Sequence, residues 1–550
     1  MNRQDMLGRV RSRRDAWDLV VIGGGATGVG IAVDAASRGY SALVLEQSDF
    51  GKGTSSRSTK LIHGGVRYLQ QGNISLVMEA LKERGILRQN APHLVHDLRF
   101  IVPNYDWWEG PFYGIGLKVY DMLAGRYGFG RSRRLSRQAT LQFIPTLNTD
   151  GLRGGVQYYD GQFDDARLLI NLVQTAAQQG AALLNYAPVT GLLKDSDDLV
   201  NGVVARDLEA DQEIRIAARC VINATGPFCD RIRQLDDQTV EPMISPSQGV
   251  HLVFDKSFLP GNAAIMVPRT ADKRVMFAIP WHGHALVGTT DTPIDDILLE
   301  PRPMNEEIDF ILETAAAYLS RPPTRSDVLS MFAGVRPLVK GGTSSTAALS
   351  RDHTLHIARS GLLTITGGKW TTYRHMAEEC VNHAAVLAKL EERPCVTAQL
   401  KIHGFHHNAA EFGELDFYGA DAPALLDLLR SQPEYNQPLH ERLPVRAGQV
   451  VWAARYEMAR TVDDFLSRRV RATLLDARAA IEMAPRVAAL LAAELGRDAV
   501  WVEEQVANYT ALAEGYVLAE TEPKRQRAIP AARPAGTSRR NRAARRLRWR

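Results

Sequence analysis

Two stretches near the start of the chain hold residues of the type and spacing that chemistry requires. Gly23-x-Gly25-x-x-Gly28 follows the apolar run 19–22 and opens a helix-like stretch, and an acid, Glu46, closes a second apolar run at 42–45. In such a strand-turn-helix unit Gly23 permits the tight turn, Gly25 lets a pyrophosphate approach the backbone, and Gly28 lets the helix pack on the sheet. The helix N-terminus offers N–H groups to the phosphates, and an acid about 20 residues on is placed to bond an adenosine ribose. This spacing fits NAD and FAD alike. The second stretch, residues 51–68, is too polar and glycine-rich for a core strand and too long for an ordinary turn. It carries hydroxyls at Thr54, Ser55, Ser56, Ser58 and Thr59, cations at Lys60 and Arg67, and His63 followed by Gly64-Gly65. A histidine titrates near neutrality, and two flexible glycines let its loop approach a reacting group as a proton acceptor.

The elements that must position these groups read as an α/β protein. The strand at 19–22, the helix after it and the strand at 42–45 form a βαβ unit, continued by Ala32 on the inner helix face and Gly39 at its C-terminal end. This extended spacing resembles that of FAD-binding two-domain flavoproteins. Residues 75–98 have helical periodicity ending near Pro92, and the aromatic, glycine-rich stretch 107–116 reads as a shielded core hairpin. Asp164 is placed to cap a helix, short alternating strands are expected through 198–216, and 221–227 is a buried strand ending in small residues. From 249 to 339 the texture becomes alternating, which predicts an antiparallel sheet. Residues 362–374 read as a strand, a Gly-Gly turn and a helix from about Thr371. Helical patterns at 450–466, 472–481 and 485–495 follow.

The run Thr-Ser-Ser-Arg-Ser-Thr-Lys-Leu-Ile-His-Gly-Gly-Val-Arg-Tyr-Leu at 54–69 resembles the signature of the FAD-dependent sn-glycerol-3-phosphate dehydrogenases, respiratory flavoenzymes that pass electrons to quinone. Residues 221–227 and 367–374 are similar to the second and third FAD-contact segments of such enzymes, and 457–471 to their helical cap. The resemblance spans residues 17–520. It implies a FAD-binding Rossmann-like domain from segments 18–90, 161–240 and 351–395, with a substrate/cap insertion at 91–160. An antiparallel-sheet substrate domain at 241–350 and an α-helical C-terminal cap at 400–520 complete it, between an N-terminal extension at 1–17 and a basic tail at 523–550. FAD would be held noncovalently, there being no attachment signal, by Gly23, Gly25, Gly28, Glu46, Thr54, Ser55, Ser56, Lys60, His63, Ala224, Thr225, Gly226, Gly367, Gly368, Lys369 and Thr371. Arg67, Tyr68, Arg336, Arg351 and Lys369 stand where the family binds substrate. His63 is the expected base, with His251 as the alternative, and His251 also reads as a core histidine on a sheet strand; Arg336 completes the catalytic set. The implied partners are sn-glycerol 3-phosphate, a membrane quinone, an anionic membrane surface and a second copy in a homodimer. The implied location is cytoplasmic, peripheral on the inner face of the cytoplasmic membrane. The absence of an EF-hand loop after the cap points to the bacterial type. A soluble oxidase using oxygen, or another FAD-dependent oxidoreductase of the superfamily, remains the alternative.

Composition narrows these readings. The chain has 550 residues, 45% of them apolar, with no apolar stretch of the roughly 18 residues a bilayer crossing needs. Residues 1–17 are polar and basic and do not read as a secretory signal. The four cysteines have neither zinc nor CxxC spacing and read as reduced thiols, and His403, His406 and His407 lack the acids or cysteines of a metal site. Residues 523–550 hold 11 Lys or Arg and no acid, which leaves a mildly acidic body of 55 basic against 62 acidic residues. With one aromatic, Trp549, this tail offers electrostatic attraction but no base readout, so no specific nucleic-acid partner is expected.

Overall fold

Strands covered on both faces are continuous apolar runs, and Trp17–Ile22 and Ala42–Leu45 are buried along nearly their whole length. They pair in parallel, Leu19 with Ala42 through Ile22 with Leu45, and helix Ala26–Ser37 makes the crossover. The computed structural model describes residues 1–65, 74–106, 109–268, 270, 274–340 and 353–519. The first sheet runs His353–Ile357, Leu363–Gly367, Gln212–Asn223, Trp17–Ile22, Ala42–Leu45, Ala182–Leu184. Val189–Lys194 and Val200–Asp207 extend Gln212–Asn223 into an antiparallel meander. Asp164 caps helix Asp165–Gln178 by accepting from the Arg167 N–H.

The alternating region forms a second sheet, antiparallel except where Ala263–Val267 meets Val95–Asn104. Its longest pairing joins Ile244–Asp255 to Val328–Val339. Val95–Asn104 and Gly154–Phe163 also enter this sheet, because Phe100, Val102, Val156 and Tyr158 share a core with Ile279 and Phe332.

Two expectations about local structure change. The stretch read as a hairpin from residue 107 contains instead a helix, Glu109–Ala124, whose Leu117, Tyr120 and Ala124 recur at helical spacing; Tyr120 and Ala124 pack with Val77 and Leu81 of helix Ile74–Asn90, and Leu117 joins the core under the second sheet. Its other face leaves Phe112 and Ile115 in solvent. The helix expected over 450–466 stops at Tyr456, and Asp464–Arg469 form a π-helical turn. Tertiary partners override the periodicity there: Arg469 donates to Glu457 O at 2.8 Å, and with Arg468 it grips Asp49 in the loop after the second strand.

Candidate active site

A cavity opens at the carboxyl ends of the parallel strands, where Ile22, Leu45, Ala224 and Ile365 line it. Gly23 turns there with φ +109°, and a Cβ on it would come within 2.7 Å of Ala224 O. Helix Ala26–Ser37 begins over the cavity with Gly25 as its N-cap, and the Ala26 N–H donates to Ser55 Oγ at 3.0 Å. Glu46 accepts from the Gly24 N–H at 2.7 Å and the Ser48 N–H at 2.9 Å, while burial raises its pKa. Thr54, Thr225, Gly226, Gly367, Gly368 and Lys369 complete the wall, with Gly226, Gly367 and Gly368 at positive φ. Backbone bared by glycine, a helix N-terminus and a half-buried carboxylate fit FAD, whose pyrophosphate Gly25 and Ala26 would meet and whose ribose Glu46 would accept from.

Of the residues expected to hold the cofactor, Gly28 serves through the close helix packing read for it, while Ser56 and Lys60 do other work. Gly28 lies against the turn, where a Cβ would sit 2.0 Å from Gly23 O. Ser56 donates to Gly51 O at 2.8 Å and ties the loop to itself. Lys60 lines neither cavity. It is buried with Nζ 2.8 Å from Asp165 Oδ1 and stacked over Trp281 and Phe332, because an ammonium beside a carboxylate loses less in burial than one facing an apolar wall.

A second cavity adjoins the first along Thr54, Pro337, Gly367, Gly368, Lys369 and Trp370. It gathers His63, His251, Arg336, Lys369 and Thr371 from four separate regions of the chain, and adds Arg274 and Asp291. Arg336 lies across the ladder from Ser247, its guanidinium over Gly249, where a Cβ would come within 2.3 Å of Nη2. Nη1 donates to Gln248 O and Asp291 Oδ1, each at 3.3 Å, and Nη2 to Thr289 Oγ1 at 3.1 Å and Thr290 O at 2.9 Å. Arg274 reaches Asp291 from the other side, Nη1 to Oδ2 at 3.5 Å.

The two histidines have different surroundings. His251 is buried, stacked on Phe332 at 5.0 Å, with Nε2 2.9 Å from Thr59 Oγ1. Burial, with Lys60 and Arg336 nearby, depresses its pKa well below the usual value and keeps it neutral. Gly288 opposite makes room for the ring, since a Cβ there would lie 2.4 Å from its Cδ2. His63 is only partly buried and precedes Gly64, whose N–H donates to Tyr120 Oη at 2.9 Å. Tyr120 donates in turn to Asp160 Oδ2 at 2.9 Å, and Arg84 pairs with Asp160 Oδ1 at 2.6 Å. That chain fastens the His63 loop to both surface helices.

Arg67, Tyr68 and Arg351 lie outside the described residues. Arg274 and Asp291 escape a sequence reading because an arginine before a strand and an acid after one are common. Their one signal is the Gly-Thr-Thr-Asp run at 288–291, which ends a strand on polar residues.

Residues 18–374 match the FAD dependent oxidoreductase family, and residues 362–502 match the C-terminal domain of alpha-glycerophosphate oxidase. The mitochondrial glycerol-3-phosphate dehydrogenase of Mus musculus is 40% identical over 531 residues, covering 90% of this chain and 72% of that protein. A mitochondrial glycerol-3-phosphate dehydrogenase of Arabidopsis thaliana is 40% identical over 523 residues, covering 87% and 83%. Among solved structures, the glycerol-3-phosphate dehydrogenase of Bacillus halodurans complexed with FAD superposes with a TM-score of 0.77 at 31% identity, over 94% of this chain and 97% of that one. The L-alpha-glycerophosphate oxidase of Mycoplasma pneumoniae, at 16% identity and a TM-score of 0.55 over 70% of this chain and 98% of its own, shares the fold.

Proposed function

The chain belongs to the FAD-dependent glycerol-3-phosphate dehydrogenase family, and on that premise we propose that it oxidises sn-glycerol 3-phosphate to dihydroxyacetone phosphate and passes the electrons to a membrane quinone. One observation carries the reading: a cavity lined by Arg274, Arg336, Lys369 and two histidines shares a wall with the FAD cavity at Gly367–Lys369. FAD, when bound, supplies the hydride acceptor. Around the substrate, guanidinium and ammonium groups hold the phosphate, since charge-assisted bonds are about twice as strong as neutral ones. The C2 alcohol must also lose a proton, and His63, on a loop held by Tyr120, takes it.

Quinone is dissolved in lipid, so the protein has to reach a membrane, and the proposed location is peripheral, on the cytoplasmic face of the inner membrane. No helix among the described residues is long and apolar enough to cross one. Ile74 and Met78 on one surface helix, with Phe112, Ile115 and Met122 on its neighbour, are each half or more exposed and support docking by that face. The test is anaerobic mixing with sn-glycerol 3-phosphate while the flavin absorbance is followed, then reoxidation. Bleaching followed by rapid reoxidation with a quinone analogue is expected; rapid reoxidation by air instead would make the protein an oxidase, and no bleaching would end the substrate assignment.

A further inference from the structure

Asp291 is a buried carboxylate set between two of the cavity's cations. Oδ1 accepts from Arg336 Nη1 at 3.3 Å and from Ser247 Oγ, Oδ2 lies 3.5 Å from Arg274 Nη1, and Arg274 also donates to the Asp291 backbone carbonyl. The loop that carries it is held from behind. Glu307, on helix Asn305–Tyr318, accepts from Thr290 Oγ1 at 2.9 Å, Thr292 Oγ1 at 2.7 Å and Gln248 Nε2 at 2.8 Å. Thr290 Oγ1 accepts from the Val250 N–H at 3.0 Å, beside His251.

An acid at the anion-binding end of a site lowers the attraction two arginines would exert on a phosphate. It also removes freedom from them: a free arginine side chain samples many rotamers, whose entropy a ligand would otherwise have to quench. We propose that Asp291, backed by Ser247 and Glu307, is a positioning residue that fixes Arg274 and Arg336 as a preformed clamp for the phosphate of the substrate. The proposal rests on the functional reading above for the identity of the substrate. The clamp itself is an anion site that inorganic phosphate also probes.

The two effects of the carboxylate predict opposite signs. If it only neutralises charge, its removal tightens anion binding; if it positions, its removal loosens it. In the FAD-loaded enzyme Asp291→Asn should raise KM for sn-glycerol 3-phosphate about tenfold and weaken inorganic phosphate, titrated calorimetrically, to a similar degree. The flavin reduction rate at saturation should change far less than KM. The double variant Asp291→Asn/Arg336→Lys should lose less affinity than the two single losses combined, since part of the effect of Asp291 passes through Arg336 and the rest through Arg274. Ser247→Ala, which leaves the ion pairs and removes the hydroxyl that aims them, should raise KM several-fold and covers the case in which Asp291→Asn does not fold. Unchanged or tighter phosphate binding in Asp291→Asn, or in Ser247→Ala where only that variant folds, overturns the proposal. A wild-type flavin that sn-glycerol 3-phosphate does not bleach, in a protein whose phosphate binding still falls in these variants, removes the substrate reading and leaves the clamp.

Discussion

Arg336 and His63 stand at the same cavity and should fail in different ways. The guanidinium of Arg336 meets Gln248 O, Thr289 Oγ1, Thr290 O and Asp291 at once, a planar pattern that a lysine ammonium on a flexible stem cannot reproduce. Arg336→Lys should therefore raise KM about tenfold or more even though charge is kept, as read in steady-state titrations with substrate. His63→Asn should leave substrate binding nearly intact and slow flavin reduction by roughly 100-fold to 10,000-fold, the range for a positioned base. Anaerobic stopped-flow reduction across pH decides this: a His63→Asn enzyme with the wild-type rate and pH profile would pass the role to His251, which burial already holds neutral.

At the scale of elements, the cap and the FAD-binding sheet meet through charge. Asp49 is fully buried and gripped by Arg468 Nε at 2.5 Å and by Arg469 Nη1 and Nη2 at 2.7 and 2.9 Å. Removing one side of such a buried pair leaves the other uncompensated, at a cost of about 3–5 kcal/mol. Asp49→Ala should lower the urea midpoint accordingly. The loop that carries Asp49 also carries Glu46, Thr54 and Ser55, so flavin release should move with it; global destabilisation with flavin release unmoved would separate the latch from the cofactor site. A second joint involves His93, buried with Nε2 2.9 Å from Asn171 on helix Asp165–Gln178. Burial, then Arg167, His403 and His96, push its pKa down to about 3, only partly offset by Asp421. The folded state thus keeps His93 neutral where the unfolded chain takes a proton. Its contribution is complete above the unfolded value of about 6.5 and is lost as pH falls toward 3, at about 1.4 kcal/mol per unit. The urea midpoint should decline between pH 7 and pH 4, and less steeply in His93→Gln; equal slopes would assign the decline to other groups.

For the whole molecule, the proposed membrane contact divides between apolar area and charge. The face formed by Ile74, Met78, Phe112, Ile115 and Met122 would be little affected by salt, whereas each Lys or Arg near an anionic leaflet adds about 1 kcal/mol that salt screens. Deleting residues 523–550 should weaken binding to anionic vesicles and flatten its salt dependence, with neutral vesicles unaffected. Equal binding of both forms to anionic vesicles would leave attachment to the helical face alone.

Much of this protein is legible in short segments, and the rest depends on which segments meet. The Gly23-x-Gly25-x-x-Gly28 turn, Glu46 and the Gly367-Gly368 turn could be read from sequence because their constraints are local: a positive φ, a bare backbone or a helix N-terminus requires particular residues within a few positions. The alternation from 249 to 339 likewise announced an antiparallel sheet, since a strand with one covered face repeats every second residue. Lys60 shows where local reading stops. It sits in the cofactor loop among hydroxyls, yet it turns away to Asp165, a partner 105 residues on that no spacing rule could name. Asp291 gave only the weak signal of a polar run at a strand end, because its meaning lies in two arginines, one before a strand and one within another, that sequence spacing does not bring together. The end of the helix at Tyr456 was set by a contact with the other sheet, through Arg468, Arg469 and Asp49. Backbone requirements are written within a few neighbouring residues, whereas buried charge answers to partners that only the tertiary structure brings within reach.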